Sequence, residues 1–253
     1  MSSPQLAARR AAFRTLHEDG CFILPNPWDA GSARRLERLG FKALASTSAG
    51  AAWALGQDDG GLTRDQVLAR LGMLCGATDL PVNADFEAGF ADEPEGVAES
   101  VRLAIATGIA GLSIEDRIGR DLYEPTLAIE RIRAARAAID ASGEDVILVG
   151  RTEGFLIGRK DLAATVERLV AYAEAGADCL YAPGVIDVAS VAEIVKAVAP
   201  KPVNVLMAWP GQAVQPLADV GVRRVSVGAA LAGAAWAGFD IAAKMLAEEG
   251  RLP

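Results

Sequence analysis

Aromatic residues and cysteines are scarce in this sequence. Phe, Trp and Tyr make up 6% of the 253 residues, so the core has to be built mainly from Ala, Val, Leu and Ile. A hydrophobic content of 51% is typical of a packed protein and not of a disordered chain. The three cysteines, Cys21, Cys75 and Cys179, are far apart in apolar stretches. Their spacing suggests neither a disulfide framework nor a zinc site, and we expect buried free thiols.

Positive charge is in the minority. The chain has 25 Lys and Arg against 33 Asp and Glu, which gives a net charge of −8. A nucleic-acid surface needs clustered cations, so this balance argues against a nucleic-acid partner. The N-terminus lacks the apolar run of a signal peptide, and no uninterrupted apolar segment reaches about 18 residues. We therefore expect a cytoplasmic protein with no membrane partner, whose anionic ligands would need a local positive site.

The single histidine, His17, lies near the end of a segment with helical spacing. This segment, residues 4–19, predicts an amphipathic helix with Arg9, Arg10 and Arg14 on the side facing water. A cation is favoured near a helix C-terminus, so we expect His17 at the surface and not in catalysis.

Beyond residue 20, short apolar runs alternate with helical segments to the end of the chain. Strands separated by single helices pair in parallel, and about eight such units in this length indicate a (β/α)8 TIM barrel. We predict one barrel domain over residues 1–253, with a C-terminal helical segment at 231–253. A doubly wound open sheet is the alternative, but its nucleotide-binding glycine motifs are missing. The predicted strands are 21–24, 42–45, 82–85, 111–114, 146–149, 179–181, 202–206 and 224–227.

The stretch PVNADFEAGF, residues 81–90, places two carboxylates at the end of a predicted strand. Asp85 and Glu87 are two residues apart, so their side chains share one face of an extended strand. Paired hard oxygen ligands suit Mg²⁺ or Mn²⁺, although a D-x-E pair is common and is often only solvated.

Polar residues at other predicted strand ends extend this pair, since a barrel gathers them at one face. Several carboxylates around one opening repel each other unless a cation joins them. Arg151 adds a guanidinium whose fork matches a carboxylate or phosphonate. The set comprises Asp29, Ser46, Thr47, Ser48, Asp85, Glu87, Glu115, Asp116, Arg151, Glu153 and Asn204.

Eight short motifs follow one another along the chain: NPWDAGSA at 26–33, STSAG at 46–50, LGQDDG at 55–60, NADFEAGF at 83–90, GLSIED at 111–116, GRTEGF at 150–155, YAPG at 181–184 and PVNV at 202–205. With these motifs the chain resembles the isocitrate lyase and phosphoenolpyruvate mutase superfamily over nearly its whole length. The resemblance implies a barrel with a Mg²⁺ site, 2-oxo acid or related dicarboxylate ligands, and cleavage or formation of a C–C or C–P bond through an enolate. It also implies a homotetramer, or a dimer, in which the C-terminal helix at about 231–249 is exchanged between subunits.

The resemblance also implies roles for individual residues. The metal would be held by Asp85 with Glu87 and Glu115, directly or through water. The substrate's carboxylate and 2-oxo end would lie on Ser46, Thr47 and Ser48. The remaining candidates are Asp59 as an acidic catalytic residue, Arg151 for an anionic group, Asn204 for the far end of longer substrates, and Trp28 as a pocket wall or as packing at the barrel mouth.

The loop after the fourth strand departs from the family pattern. Isocitrate and methylisocitrate lyases carry a K-x-C-G-H-type motif there, with a catalytic Cys, whereas this chain reads DRIGRDLYEP at 116–125. The Lys and Asn of the phosphonate-cleaving enzymes are absent as well. Arg120 and Tyr123 are the candidates to replace them, in gating or charge neutralisation.

These observations predict a Mg²⁺-dependent lyase or decarboxylase acting on a small 2-oxo or 2-hydroxy di- or tricarboxylate. Decarboxylation of a β-keto acid such as oxaloacetate needs no dedicated acid to cleave the bond. A retro-aldol reaction would need a base for the substrate hydroxyl, for which Asp59, Glu153 or a metal-bound hydroxide could serve. The alternatives are a phosphonopyruvate-type C–P enzyme, a non-catalytic 2-oxo acid binder, and a phosphate site where Gly228 opens a helix.

Overall fold

Eight parallel strands form the centre of the protein, which we describe from a computed structural model covering residues 3–253. The barrel strands are β1 (Phe22–Leu24), β2 (Leu44–Ala45), β3 (Val82–Asp85), β4 (Gly111–Glu115), β7 (Ile147–Arg151), β8 (Cys179–Tyr181), β9 (Val203–Leu206) and β10 (Arg224–Ser226), and β5 (Arg117–Ile118) and β6 (Asp121–Leu122) form a separate hairpin. The helices are α1 (Pro4–Thr15), α2 (Ala30–Arg38), α3 (Ser48–Trp53), α4 (Arg64–Ala77), α5 (Pro94–Ala106), α6 (Pro125–Ser142), α7 (Leu162–Glu174), α8 (Val188–Val198), α9 (Val214–Asp219) and α10 (Ala230–Glu249).

The strand order is β1-β10-β9-β8-β7-β4-β3-β2, and the paired neighbours are parallel. The two ends of this sheet meet where the backbone N–H of Ala45 donates to the carbonyl of Pro25 at 3.0 Å. The predicted (β/α)8 barrel is therefore confirmed. Because the strands are parallel, their carboxyl ends open at one face and bring the following loops together.

Alternate residues of each strand face opposite sides of the barrel wall. One set, including Leu112 and Leu148, packs under the helices in the large core. The other set, including Ala45 and Val149, faces the barrel axis in a smaller cluster together with Phe13. The helix α1 thus closes the end of the barrel opposite the strand C-termini.

Two predictions about the N-terminal segment were wrong. Arg10 is buried, because its Nε donates to the carbonyl of Ile109 at 2.9 Å and its Nη1 pairs with Glu144. His17 is also buried, with Nδ1 2.8 Å from the carbonyl of Phe13. The helix ends at Thr15, so the chain turns inward before His17 and does not carry it along the surface.

Other differences concern short or exposed segments. The predicted polar loop at 117–125 contains the β5–β6 hairpin, and α3 begins directly after β2. Cys75 and Cys179 are buried as expected, whereas Cys21 is partly exposed.

The helix α10 carries large apolar side chains that are exposed to solvent. Trp236, Phe239, Ile241 and Leu246 are between 39% and 62% exposed. Among the described residues, this is the one helix whose length and mean hydropathy, 1.2, also meet the composition of a membrane span. A soluble assembly that covers this helix with another subunit would show the same pattern.

Candidate active site

Asp85 lies at the end of β3 and joins two neighbouring segments. Its Oδ2 accepts hydrogen bonds from the backbone N–H and the hydroxyl of Ser48, both at 3.0 Å. Its Oδ1 accepts from Nη1 of Arg151 at 3.0 Å. Its own backbone N–H donates to Oγ of Ser46 at 2.8 Å. The segment after β2 is therefore fixed against the end of β3.

Arg151, the last residue of β7, is surrounded by carboxylates. Its Nε donates to Glu153 at 2.6 Å, and its Nη2 lies 3.4 Å from Oε2 of Glu115. Burial alone would lower the pKa of this guanidinium, but the charges of Glu153, Glu115 and Asp85 raise it well above its usual value. Arg151 is a permanent cation that holds three acidic side chains together.

Glu87 follows β3 with the backbone in the left-handed region, at φ 48°. Its Oε1 is buried and has no hydrogen-bond partner among the described residues. Burial, together with the charges of Asp85 and Asp59, raises the pKa of Glu87 to about 7. Burial also raises the pKa of Glu115, although the positive charge of Arg151 acts to lower it. For both carboxyl groups, burial and the neighbouring acidic side chains therefore outweigh the positive charge of Arg151.

The carboxylate oxygens of this site are the type of ligand that Mg²⁺ prefers. The unpartnered Oε1 of Glu87 and the carboxylate of Glu115 are hard oxygen acceptors in the same site as Asp85. No group of three or more acidic, His or Cys side chains within residues 3–253 is placed so that the group could hold a metal ion by itself. Mg²⁺ does not require one, since it usually keeps several waters and binds one or two carboxylates.

Two adjoining cavities open at this face. One, of about 190 Å³, is lined by Ser46, Thr47, Ser48 and Asp85, among others. The second, of about 310 Å³, is lined by Asp59, Glu87, Glu115, Arg117 and Glu153, among others. Arg151 borders both cavities. The structure thus brings together the predicted metal, Ser-Thr-Ser and arginine residues.

Other predicted residues lie outside these two cavities. Trp28 borders a small apolar cleft next to Thr47 and Asp85. Asn204 is buried in the barrel interior, where its Nδ2 donates to Ser226 at 3.0 Å. Asp29 caps α2 by accepting from the backbone N–H of Ser32 at 2.6 Å.

The two loop candidates are also placed away from the carboxylates. Arg120 is exposed at the hairpin turn. The Tyr123 hydroxyl donates to Asp92 at 2.5 Å, and its ring lies 4.0 Å from the guanidinium of Arg131. Burial raises the pKa of Tyr123 to about 12. In this arrangement Tyr123 anchors the end of the loop.

A buried network behind the site was not predicted. Asp116 is 2% exposed and accepts from the hydroxyls of Thr152 and Tyr172, both at 2.7 Å, and from Arg168 at 3.2 Å. Its other oxygen accepts from the backbone N–H of Glu153 at 2.9 Å. Asp116 therefore positions Glu153, which in turn holds Arg151. Arg168 and Tyr172 come from α7, and the sequence carries no signal that links them to the strand ends.

Comparison with known proteins gives consistent matches. A family model described as phosphoenolpyruvate phosphomutase matches residues 13–247. The 2-methylisocitrate lyase of Escherichia coli is 34% identical over 179 residues, which cover 67% of this chain and 60% of that protein. A crystal structure of a candidate lyase or mutase from Burkholderia cenocepacia has a TM-score of 0.95 at 47% identity and covers 98% of this chain and 91% of that one. Oxaloacetate acetylhydrolase with its product oxalate has a TM-score of 0.90 at 27% identity, covering 98% and 89%.

Proposed function

Because the chain belongs to the isocitrate lyase and phosphoenolpyruvate mutase superfamily, we propose that it is a Mg²⁺-dependent lyase or decarboxylase. The proposed substrate is a small 2-oxo or 2-hydroxy di- or tricarboxylate. The observation that carries the proposal is the position of Asp85 between Ser48 and Arg151, with Glu87 and Glu115 in the adjoining cavity. The relatives named for 2-methylisocitrate and oxaloacetate chemistry support this substrate class.

Asp85, Glu87 and Glu115 would hold the Mg²⁺ ion, directly or through water. When bound, the ion would supply positive charge next to the substrate's 2-oxo oxygen, where negative charge grows as the neighbouring bond breaks. The unpartnered oxygen of Glu87 is the observation on this chain that favours such a cation.

Arg151 is the group that binds and orients the substrate's carboxylate. Its planar fork suits bidentate binding, and its permanent charge does not depend on pH near neutrality. Glu153 fixes one edge of the guanidinium at 2.6 Å, and Asp116 fixes Glu153 through its backbone. Substrate therefore meets a cation whose orientation is set before binding, which reduces the entropy lost on binding.

Carboxylates are the groups we propose for proton transfer, since the hairpin loop contains no Cys, Lys or His between residues 117 and 125. Asp59 borders both cavities and Glu153 borders the second. Either can accept the proton of a substrate hydroxyl in a retro-aldol cleavage. Loss of CO₂ from a β-keto acid needs no base to remove a hydroxyl proton. Decarboxylation is therefore the simplest reaction for the residues of this site.

A substrate panel tests the proposal. Purified protein is incubated with oxaloacetate, isocitrate, 2-methylisocitrate, 2,3-dimethylmalate and phosphonopyruvate, each with Mg²⁺, Mn²⁺ or EDTA. We expect turnover of at least one carboxylate that EDTA abolishes and Mg²⁺ restores. Absence of metal-dependent turnover across the panel contradicts the proposal.

The panel, together with measurements of 2-oxoglutarate and phosphate binding, also separates the alternatives. Turnover of phosphonopyruvate alone selects a C–P bond enzyme, the reaction class named by the matching family model. Tight binding of 2-oxoglutarate without any turnover selects a non-catalytic binding protein. A phosphate site at Gly228 requires binding of phosphate that does not depend on Asp85.

A further inference from the structure

The barrel interior below the proposed site contains a buried arginine. Arg224, in β10, is 2% exposed. Its Nε donates to Oδ1 of Asn204 at 2.9 Å, and its Nη1 lies 3.2 Å from Oδ1 of Asn83. The same Nη1 lies 3.4 Å from Nε2 of His17. These contacts fix the plane of the guanidinium inside the barrel.

The partners of Arg224 are all neutral. Asn83 and Asn204 are amides. His17 donates from Nδ1 to the carbonyl of Phe13, so its Nε2 is the acceptor of a neutral ring. Burial, followed by the charge of Arg224, lowers the pKa of His17 to about 3, which keeps the ring uncharged. The side chains in hydrogen-bond contact with Arg224 among residues 3–253 include no carboxylate.

An isolated buried charge is costly. Removing an ion from water carries an effective penalty of several kcal/mol, and a paired anion normally offsets it. Burial accordingly lowers the pKa of Arg224. Its Nη2 nitrogen donates no hydrogen bond to a described residue. The guanidinium therefore has both the charge and a free donor for an anion.

The cavity of about 190 Å³ connects Arg224 with the proposed site. Its lining includes Asn83, Ser113, Ser226 and Arg224, together with Asp85 and Arg151. Barrel interiors are usually filled by bulky branched side chains. Here small and polar residues leave the space open.

Gly111 makes this arrangement possible. A Cβ at that position would stand 2.7 Å from Oδ1 of Asn83, the atom that contacts Arg224. The missing side chain at Gly111 therefore leaves room for the Asn83 amide that contacts the guanidinium, and also for the ring of Phe13, whose Cε1 would be 2.9 Å from that Cβ. We read this as a prepared binding surface and not as a gap left by loose packing.

We propose that Arg224 binds the carboxylate of the substrate that is distant from the reacting 2-oxo group. The inference rests on the proposed function and narrows it, because it requires a substrate with a second anionic end that reaches into the barrel. Arg151 then binds near the mouth and Arg224 at the floor of one cavity.

Isothermal titration calorimetry with matched ligands tests this assignment. Each 2-oxo dicarboxylate of four, five or six carbons is compared with the 2-oxo monocarboxylate of the same length, in the presence of Mg²⁺. A hydrogen bond between charged groups is stronger than one between neutral groups, so we expect at least one dicarboxylate to bind about 10- to 100-fold more tightly than its partner. Arg224→Gln should remove this preference and leave monocarboxylate affinity unchanged.

Arg223→Gln is the matched control, because Arg223 is adjacent but partly exposed and pairs with Asp19 at the surface. This variant should keep the dicarboxylate preference. Equal affinities within every pair, or an unchanged preference in Arg224→Gln, overturn the inference. Sulfate binding at Arg224 without any dicarboxylate preference also overturns it, since the site would then take only a free inorganic anion.

A crystal structure of the wild-type protein with the preferred dicarboxylate decides the matter if Arg224→Gln does not fold. A ligand carboxylate within about 3.2 Å of an Arg224 nitrogen supports the assignment. A ligand held at Arg151 and Ser48 alone refutes it. If monocarboxylates bind with Mg²⁺ but show no dicarboxylate preference, only this inference fails. If neither class binds, the proposed function fails.

Discussion

Asp85 has each of its two carboxylate oxygens bound by a different segment. Oδ2 is held by Ser48, and Oδ1 is held by Arg151. A substrate carboxylate that binds Arg151 would compete for the same guanidinium. The free energy of binding at this site therefore depends on how the charge of Asp85 is shared between the arginine and a cation.

Replacement of Asp85 by Asn tests this dependence. Asn keeps the shape but removes the charge, so we expect kcat/KM for the best panel substrate to fall by about 100-fold or more, the usual loss when a preorganised charged group is removed. Steady-state kinetics at saturating Mg²⁺ measure the effect. Asp65→Asn, in the exposed first turn of α4, is the control and should retain activity. Near wild-type activity of Asp85→Asn contradicts the assigned role.

The sequence predicted the residues at strand ends better than those behind them. Asp85, Glu115 and Arg151 follow apolar runs, so a parallel barrel has to bring them to one face. Asp116 comes from the same run, yet it points to Arg168 and Tyr172 in a helix that is distant in the sequence. Which of two adjacent carboxylates faces the cavity depends on packing that no single stretch of sequence contains.

At the scale of secondary structure, the hairpin β5–β6 is the least predictable part of the site. Its strands have two residues each, and a pattern this short carries no periodicity to separate it from a loop. The structure places Arg117 at the cavity edge, where its charge acts on Glu87, and leaves Arg120 exposed.

Arg117→Gln should therefore raise KM several-fold for an anionic substrate and change kcat little, because an exposed arginine at the rim attracts the substrate without touching the reacting atoms. Kinetics at two salt concentrations measure this, and the variant should be less sensitive to salt. Arg133→Gln, on the exposed side of α6, serves as the control. A KM effect from Arg120→Gln and none from Arg117→Gln would favour the residue that the sequence indicated.

The barrel strands were placed within two residues, and β3 and β8 matched at both ends. The N-terminal helix was predicted too long, since helical spacing continues to residue 19 while the chain turns at Thr15. A tertiary contact explains the difference. His17 and Phe13 pack together against the interior of the barrel, with ring centroids 4.7 Å apart. Local periodicity contains no information about that contact.

For the whole molecule, burial of neutral His17 makes stability depend on pH. Its pKa is about 3 when folded, against an ordinary value of 6.5, because of burial and the charges of Arg224 and Arg14. The unfolded chain then binds the extra proton between these values, so this residue lowers stability as pH falls below 6.5 and contributes nothing above it.

His17→Gln removes that proton uptake. Below pH 6.5, the free energy of unfolding of the variant should rise relative to that of the wild type. The expected rise is up to about 1.4 kcal/mol for each pH unit. Urea denaturation at pH 5, 6 and 8 provides the measurement. A difference that stays constant with pH would mean that His17 has the same pKa in the folded and the unfolded protein, which contradicts its burial as a neutral ring.

The exposed face of α10 leads to a prediction about assembly. Phe239, which is 61% exposed, packs against Trp236 with ring centroids 5.9 Å apart. If this face lies between subunits, as proposed for the exchanged C-terminal helix, Phe239→Asp should shift a tetramer or dimer to smaller species in analytical ultracentrifugation. Leu39→Asp, at an exposed position after α2, should leave the assembly unchanged. A Phe239→Asp protein with wild-type mass rules out this face as the interface.

The closure of the barrel also has a consequence for biosynthesis. Phe22 in β1 is paired in register with Arg224 in β10. During translation, β1 therefore cannot pair with β10 until almost the whole chain has left the ribosome. A chain that stops before residue 224 keeps two open parallel edges, on β1 and on β9, and open edges pair with other chains. Premature termination or C-terminal proteolysis of the nascent chain should therefore give aggregates and not a smaller folded unit.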